Sequence, residues 1–165
     1  MKAVRKLSKR KKRLYLFLGI SFLLVCVITF INYHYLQKEE ILAELSYCVD
    51  GDTMIFEIKG EEVKVRLLAV DAPELSDEYG KQSREFSRET LEGSRITLVR
   101  EAGEEKDKYN RDLYWVYADG ELLQELLLRE GLAKIDYVYS DYSLLTKLKT
   151  AENEAKREKR GIWAE

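Results

Sequence analysis

Histidine and cysteine are scarce in this chain. There is one histidine and there are two cysteines among 165 residues. Cys26 lies inside a long apolar run near the N-terminus, His34 lies at the end of that run, and Cys48 lies further on. The remainder of the chain therefore cannot contain a Ser-His-Asp site, histidine-based nuclease chemistry, a Cys/His zinc site or a disulfide framework.

Positive charge is also scarce once the first 13 residues are set aside. Eight of the 28 Lys and Arg residues lie within residues 1–13, which hold no acidic residue. The remaining 20 basic residues are outnumbered by 30 acidic ones, which gives residues 14–165 a formal net charge of −10. Because domains that bind nucleic acid are normally basic, this balance argues against tight non-specific binding to DNA. Any such affinity must come from a local basic patch or from a bound metal ion.

An apolar segment follows the basic residues. Residues 14–31 are apolar except for Gly19, Ser21 and Thr29, and at about 1.5 Å per residue they nearly span a hydrocarbon core. Tyr33 and Tyr35 would then lie at the membrane interface. The pattern predicts a cytoplasmic tail over 1–13, a single-pass signal anchor over 14–35 and a C-terminal domain outside the cell membrane. A cleaved signal peptide is the alternative, although residues 28–32 offer no small-x-small cleavage site.

The rest of the chain is predicted to consist of a linker over 36–43 and one folded domain over 44–165. Alternation of apolar and polar residues predicts a β-hairpin around Gly60 and two later strands, and 3.6-residue periodicity predicts helices. The strands are expected at 53–59, 63–67, 95–100 and 113–117, and the helices at 80–94, 121–130 and 141–160. This order favours an α+β, mainly β, fold: a five-stranded OB-fold barrel with three helices, preceded by the N-terminal transmembrane helix.

Two aspartates are expected to converge at the open end of the hairpin. With the turn near Gly60, residue i faces residue 121 − i, so Asp52 falls opposite Ala69, two residues from Asp71. Carboxylates so placed can bind one Ca²⁺ or Mg²⁺ ion, since hard cations prefer oxygen ligands. Strict alternation puts Asp52 on the face of Met54, so convergence requires a bulge or a strong twist. Taken singly, each aspartate also fits an ordinary turn or a helix-capping loop.

Arginine, glutamate and tyrosine side chains complete a pattern that suits cleavage of a phosphodiester. Arg66 and Arg111 can bind phosphoryl oxygens and neutralise charge in a pentacoordinate transition state. Glu74 can orient or deprotonate an attacking water. Tyr137 and Tyr139 can share one face and stack against bases, although aromatic residues at this spacing are more often core residues. Any one of these residues, taken alone, also fits an ordinary surface position.

Several ordered segments together resemble the thermonuclease family, the staphylococcal-nuclease-like domain. The resemblance runs from about Tyr47 to the C-terminus, and the order of the segments makes it specific. The matching segments are VDGDT (49–53), VRLLAVDAPE (65–74), DKYNR (107–111), YADG (117–120), GLAK (131–134) and GIW (161–163).

The resemblance implies an OB-fold nuclease with low sequence specificity. It implies Ca²⁺-dependent hydrolysis of DNA, and of RNA, to 3′-phosphorylated products. By position, it implies a metal role for Asp52, Asp71 and the carbonyl oxygen of Ala72, a catalytic role for Arg66, Glu74 and Arg111, and a substrate-binding role for Lys108, Tyr109, Tyr137 and Tyr139.

Two positions depart from the family pattern. Ala72 stands where threonine is common, which matters little for a ligand that uses its backbone carbonyl. Asn110 replaces the usual glycine before Arg111, and asparagine tolerates a left-handed backbone better than most residues.

The sequence indicates a monomer without a protein partner. A catalytically weak or inactive OB-fold module that binds nucleic acid or protein at the membrane is the alternative to a nuclease. The presence of both aspartates, the glutamate and both arginines argues against that module, because a binding domain does not require all five.

Overall fold

The computed structural model describes residues 9–36, 40–101, 103 and 105–164, which divide into two compact units. The first eight residues of the predicted tail, and residues 37–39 of the predicted linker, lie outside the described ranges. The first unit is helix α1, Lys9–Leu36, which contains the whole predicted span. Among the described residues α1 is the one helix long and apolar enough to cross a membrane, and its position near the N-terminus suits a membrane span and a signal sequence alike.

Five strands of the second unit form a closed barrel. They are β1 (Glu40–Cys48), β2 (Thr53–Ile58), β3 (Glu61–Leu67), β5 (Ile96–Val99) and β6 (Asp112–Ala118). Strands β1, β2 and β3 form an antiparallel meander, β5 pairs with both β1 and β6, and a parallel pairing of β3 with β6 closes the barrel. The prediction of a five-stranded OB-fold barrel is therefore confirmed.

Shorter elements cover the barrel. Strand β4 (Val70–Asp71) pairs with β8 (Lys134–Ile135), and β7 (Glu121–Leu122) extends the edge at β6. The helices are α2 (Gly80–Leu91), α3 (Leu123–Arg129) and α4 (Leu145–Glu158), followed by a 3₁₀ turn at Gly161–Trp163. As predicted, the described part of the domain has three α-helices.

The core lies inside the barrel and beneath α3 and α4. Phe56 packs inside the barrel, Trp115 packs against Tyr142, and Leu127 and Leu148 pack from the two helices; all four are fully buried. Burial of each such side chain stabilises the fold by about 2–3 kcal/mol relative to exposure. The apolar stripes at i,i+4 spacing on α3 and α4 thus serve this core.

The hairpin between β2 and β3 has a different register from the one predicted. Thr53 pairs with Arg66 and Ile58 with Glu61, so the turn is the two-residue loop Lys59-Gly60, with φ of 53° and 86°. Two successive positive φ values are typical of the type I′ turn that joins such strands. The rule that residue i faces 121 − i is therefore wrong by two residues, because it centred the turn after Gly60.

Three predicted boundaries are also wrong. Residues 40–43 belong to β1, not to a linker, because Ile41 and Ala43 face the interior while Leu42 occupies an exposed position. Helix α3 begins two residues later than expected because 121–122 pair with β6. Helix α4 begins at Leu145, four residues later than expected.

Two buried serines attach α2 to the rest of the domain. Ser83 Oγ donates to the Leu132 carbonyl at 2.9 Å, and Ser87 Oγ donates to the Gly51 carbonyl at 2.7 Å. A Cβ at Gly51 would lie 2.0 Å from Ser83 Oγ, so only glycine allows this approach. The glycine between Asp50 and Asp52 is thus required by the packing of α2.

Gly131 marks the end of α3 and lies against the C-terminal segment. Its φ is +66°, and an added Cβ would lie 2.1 Å from the Arg160 carbonyl oxygen. We expect Gly131→Ala to lower the free energy of unfolding by about 2–4 kcal/mol, because backbone strain and overpacking both act. Gly120→Ala is the matched control: its φ is +88° with nothing within 4 Å, so only about 1 kcal/mol of strain applies. Urea unfolding of the full-length protein in detergent measures both, and equal losses would contradict the packing explanation.

Candidate active site

All ten residues singled out in the sequence line one cavity of about 530 Å³. Its walls come from the β1–β2 turn, the β3–β4 turn, the 107–111 loop and the segment after β8. These segments are far apart in the sequence, and the closed barrel brings them to one end. The structure therefore groups the predicted metal, catalytic and substrate-binding residues.

Asp52 is the most deeply placed carboxylate of the cavity, at 5% exposed. Its Oδ2 accepts a hydrogen bond from the Ala72 backbone N–H at 2.6 Å and lies 3.0 Å from Arg66 Nη2. Its Oδ1 accepts from Thr53 Oγ1 at 3.1 Å. Both carboxylate oxygens are thus engaged.

Arg66 is buried and joins the two aspartates. Its Nη2 lies 3.0 Å from Asp52 Oδ2 and 3.2 Å from Asp71 Oδ1. Its Nη1 donates to the carbonyl oxygens of Val70 at 2.8 Å and Leu67 at 3.2 Å. Because every one of these partners is an acceptor, the guanidinium is held in one orientation at the floor of the cavity.

A left-handed turn, and not a bulge, brings Asp71 back to Asp52. Ala69 has φ 60°, an uncommon value for a residue with a Cβ, and it lies between the end of β3 and the start of β4. The β2–β3 pairing runs without a register shift, so of the two routes that the sequence left open, a bulge or a strong twist, the bulge is absent from this ladder. Strand β8 then fixes β4, since Lys134 pairs with Asp71 in register and places Nζ 3.4 Å from Asp71 Oδ2.

Burial dominates the ionisation of Asp52. Loss of hydration raises the pKa of this carboxyl from 3.8 to about 7, although the positive charge of Arg66 and the hydrogen bond from Ala72 both oppose the rise. A charged Asp52 is therefore costly unless further positive charge joins it. A cation in the cavity would supply such charge.

The oxygen donors of the cavity fit a hard divalent cation. The carboxylates of Asp52 and Asp71 converge on one guanidinium nitrogen, so both are aimed at a single point of positive charge. Among the described residues no three or more Asp, Glu, His or Cys side chains cluster as metal ligands, so an ion here would add backbone carbonyl or water oxygens to the two carboxylates. Such a set suits Ca²⁺ or Mg²⁺ and not Zn²⁺.

Arg111 is positioned by a tight loop on the opposite wall. Asp107 Oδ1 accepts the backbone N–H groups of Tyr109 at 2.9 Å and Arg111 at 3.0 Å, and its Oδ2 accepts Arg111 Nε at 2.6 Å. These bonds hold the pKa of Asp107 below its usual value against the effect of burial. Asn110 adopts φ 61°, as expected for the residue in the usual glycine position. Arg111 Nη1 donates further to Thr53 Oγ1 at 3.1 Å.

Exposed groups surround this charged floor. Tyr137 and Tyr139 are 50% and 66% exposed with ring centroids 6.4 Å apart, so their interpretation as core residues is wrong. The Arg66 guanidinium lies 5.6 Å from the Tyr137 centroid, and Lys108 Nζ lies 5.0 Å from the centroid of Tyr109. These rings and the ammonium group are available to a ligand.

Glu74 lies at the rim of the same cavity. It is exposed, and no hydrogen bond or ion pair links its carboxylate to another side chain in the described part of the chain. Its carboxylate is therefore free to hold a water molecule.

The sequence did not identify four further residues that shape the cavity. Asp50 Oδ1 accepts the backbone N–H groups of residues 52 and 53, Asp107 orients Arg111, and Thr53 touches Asp52 and Arg111. Tyr142 lines the cavity and packs edge-on against Trp115 at 5.8 Å. Asp50 and Thr53 lie in the DGDT segment and Asp107 lies in DKYNR, but only the folded structure shows which donor meets which acceptor.

The raised pKa of Asp52 predicts a pH-dependent stability. Because the folded protein binds this proton more tightly than the unfolded chain, the stabilisation is fully present below about pH 4 and is lost as the pH rises through about 7. The side chain of the Asp52→Asn variant cannot ionise. Without metal, we therefore expect the free energy of unfolding of this variant, relative to that of the wild type, to increase by on the order of 2–4 kcal/mol from pH 4 to pH 8. Urea unfolding with a chelator at several pH values measures this. The exposed Asp141→Asn is the control, and an unchanged difference between wild type and Asp52→Asn across this range would exclude the effect.

The chain is similar to known nucleases. The sequence model of the staphylococcal nuclease homologue family matches residues 64–165. The chain is 37% identical over 134 residues to the SPbeta prophage-derived endonuclease YokF of Bacillus subtilis (strain 168). This alignment covers 77% of this chain and 45% of that protein. It is 35% identical over 135 residues to Endonuclease YncB of the same organism, covering 78% of this chain and 64% of that protein. It thus spans less than two thirds of both of these relatives.

A shorter relative is covered more completely. The chain is 30% identical over 122 residues to the Thermonuclease of Staphylococcus hyicus, and the alignment covers 70% of this chain and 72% of that protein. The family match extends over more than half of the chain and includes the end of β3, strands β5 and β6 and all residues of the cavity from Arg66 onward. The chain belongs to the staphylococcal nuclease family.

Proposed function

We propose that the protein is a Ca²⁺-dependent endonuclease that hydrolyses DNA, and RNA, with low sequence specificity. One observation carries the proposal: two carboxylates, two arginines and a free glutamate line a single cavity. Hard oxygen ligands, paired guanidinium groups and an available base are the groups that phosphodiester hydrolysis requires. In this proposal the protein acts as a monomer.

Arg66 and Arg111 bind the scissile phosphate. Each guanidinium is planar and permanently charged, so it suits phosphoryl oxygens. The terminal nitrogens of Arg66 are engaged by the two aspartates and two carbonyl oxygens, so Arg66 turns to the phosphate when a cation takes its place at the aspartates. Both are already oriented by carboxylates, which reduces the reorganisation needed as charge accumulates in the transition state. Lys108 and Tyr109 contact the neighbouring phosphate, and the exposed rings of Tyr137 and Tyr139 flank the nucleotide.

Asp52, Asp71 and the carbonyl of Ala72 hold the metal ion. When bound, Ca²⁺ supplies positive charge that neutralises the phosphate and the buried carboxylates. Before binding, Arg66 bridges the two aspartates and Lys134 adds a second ion pair to Asp71, which explains how both aspartates can be kept at the floor of the cavity.

Glu74 activates the water. Its carboxylate accepts a proton from a water that attacks phosphorus in line with the 5′-oxygen. The new P–O bond forms as the bond from phosphorus to the 5′-oxygen breaks, and the leaving oxygen takes up a proton from solvent. The products are a 3′-phosphate end and a 5′-hydroxyl end.

Low sequence specificity follows from the kind of contacts available. Arginines and lysine bind phosphates, which carry no sequence information, and aromatic rings stack on any base. Acidic residues outnumber basic ones in the chain, so its overall charge does not attract nucleic acid. The affinity for DNA or RNA must therefore come from these local contacts.

Replacement of Glu74 tests the reaction directly. We expect Glu74→Gln to lower the cleavage rate by about 10²–10⁴-fold, because a carboxamide cannot take the proton of water. Ca²⁺-dependent binding of an oligonucleotide should persist. The exposed Glu78→Gln on the same loop is the matched control and should cleave as the wild type does.

Two outcomes would refute this role. Cleavage by Glu74→Gln at the wild-type rate would remove Glu74 from the reaction. Wild-type protein that binds DNA with Ca²⁺ but never cuts it would favour the alternative, a binding module on the same fold.

We further propose that α1 anchors the protein as a single-pass span, with the nuclease domain outside the cell. The support is the apolar length of α1 and the basic residues at its start. Protease added to intact cells should then degrade the C-terminal domain and spare an epitope placed at the N-terminus. Protection of the domain in intact cells, with digestion after lysis, would place it inside.

A further inference from the structure

We propose that Thr53 is a positioning residue that couples the phosphate-binding Arg111 to the metal-binding Asp52, an inference that rests on the proposed function. Thr53 is 1% exposed, so its side chain cannot touch substrate. Its hydroxyl nevertheless contacts both functional groups, at 3.1 Å from Asp52 Oδ1 and 3.1 Å from Arg111 Nη1. It is the link between the two walls of the cavity.

The chemistry of the three groups fixes the direction of both hydrogen bonds. A guanidinium can only donate and an ionised carboxylate can only accept. When Asp52 is ionised, as it must be to bind a cation, the hydroxyl of Thr53 therefore gives its one proton to Asp52 and accepts from Arg111. No other arrangement satisfies both neighbours, so the link is polarised from the arginine toward the aspartate.

The backbone of Thr53 is held on every side. Its N–H donates to Asp50 Oδ1 at 2.7 Å, its carbonyl accepts the N–H of Val49 at 2.9 Å, and it pairs with Arg66 across the β2–β3 ladder. Because threonine is β-branched, its χ1 is also restricted. The position of the hydroxyl thus follows from the strand and the turn.

The link matters because Arg111 has two anchors with different effects. Asp107 holds Nε at 2.6 Å and keeps the side chain in place. Thr53 holds Nη1, a terminal nitrogen of the guanidinium fork, and so sets the rotation of the fork. Removal of the hydroxyl leaves Arg111 in the cavity but misaligned, and it deprives Asp52 of one of its hydrogen bonds.

Valine and serine at position 53 separate the hydroxyl from the shape of the side chain. Thr53→Val keeps the shape and removes the hydroxyl, whereas Thr53→Ser keeps the hydroxyl. In full-length protein we expect Thr53→Val to lower kcat about 10–100-fold, as for loss of one buried hydrogen bond to a charged group, with a smaller effect on KM. Thr53→Ser should restore most of the rate. Melting temperatures of all variants check that they are folded.

A double-mutant cycle distinguishes coupling from a general structural effect. In an Arg111→Met background the hydroxyl has no arginine to orient, and saturating Ca²⁺ offsets any weaker binding of the ion at Asp52, so Thr53→Val should lower kcat less than about threefold. The same cycle is run on Ca²⁺-dependent binding of a short oligodeoxynucleotide, in a Glu74→Gln background to prevent cleavage. Calorimetry with Ca²⁺ alone should show weaker binding for Thr53→Val than for Thr53→Ser.

The experiments distinguish a failure of the proposed coupling from a failure of the proposed nuclease function. Wild-type activity in Thr53→Val, or equal losses in the presence and absence of Arg111, would overturn the coupling. Failure of the wild type to cleave would overturn the proposed function, and the binding cycle would still decide the role of Thr53: additive losses reject it and non-additive losses support it.

Discussion

The structure depends on a buried carboxylate that is expensive to charge. Asp52 is almost fully enclosed, and the loss of hydration outweighs the nearby positive charge of Arg66. The surrounding residues respond to that constraint: Arg66, the Ala72 amide and the Thr53 hydroxyl each direct a donor at its two oxygens. The cost of a buried, charged Asp52 would favour the binding of a cation in the cavity. Functional sites commonly retain such unfavourable interactions, which the rest of the fold offsets.

The barrel supplies the rigidity that such a site requires. Closure through the parallel β3–β6 pairing places the β3–β4 turn next to the loop before β6, although more than 30 residues separate them in the sequence. Helix α2 braces the DGDT turn through Ser87 and the Gly51 carbonyl. Strand β8 and its lysine fix Asp71 from the other side. The two aspartates and Arg66 are thus held by neighbouring regular structure, whereas Lys108, Glu74 and the rings of Tyr109, Tyr137 and Tyr139 are left exposed.

The sequence could predict which residues meet but not how they meet. Motif order placed all ten residues in one site, and alternation around Gly60 located the hairpin, because these patterns depend on local chemistry. The register was wrong by two residues because nothing local distinguishes Lys59-Gly60 from Gly60-Glu61 as the turn. The left-handed Ala69 could not be foreseen, since alanine carries no preference for that conformation. The links made by Asp107 and Thr53 depend on side-chain directions that only the folded structure defines.

Cleavage of DNA by the full-length protein, with and without a calcium chelator, is the most direct test of the central claim. Fragments ending in 3′-phosphate should accumulate with Ca²⁺, stop when the chelator is added and resume when Ca²⁺ is restored in excess. Cleavage that ignores the chelator, or that occurs with Mg²⁺ and not with Ca²⁺, would contradict a calcium site built on Asp52 and Asp71.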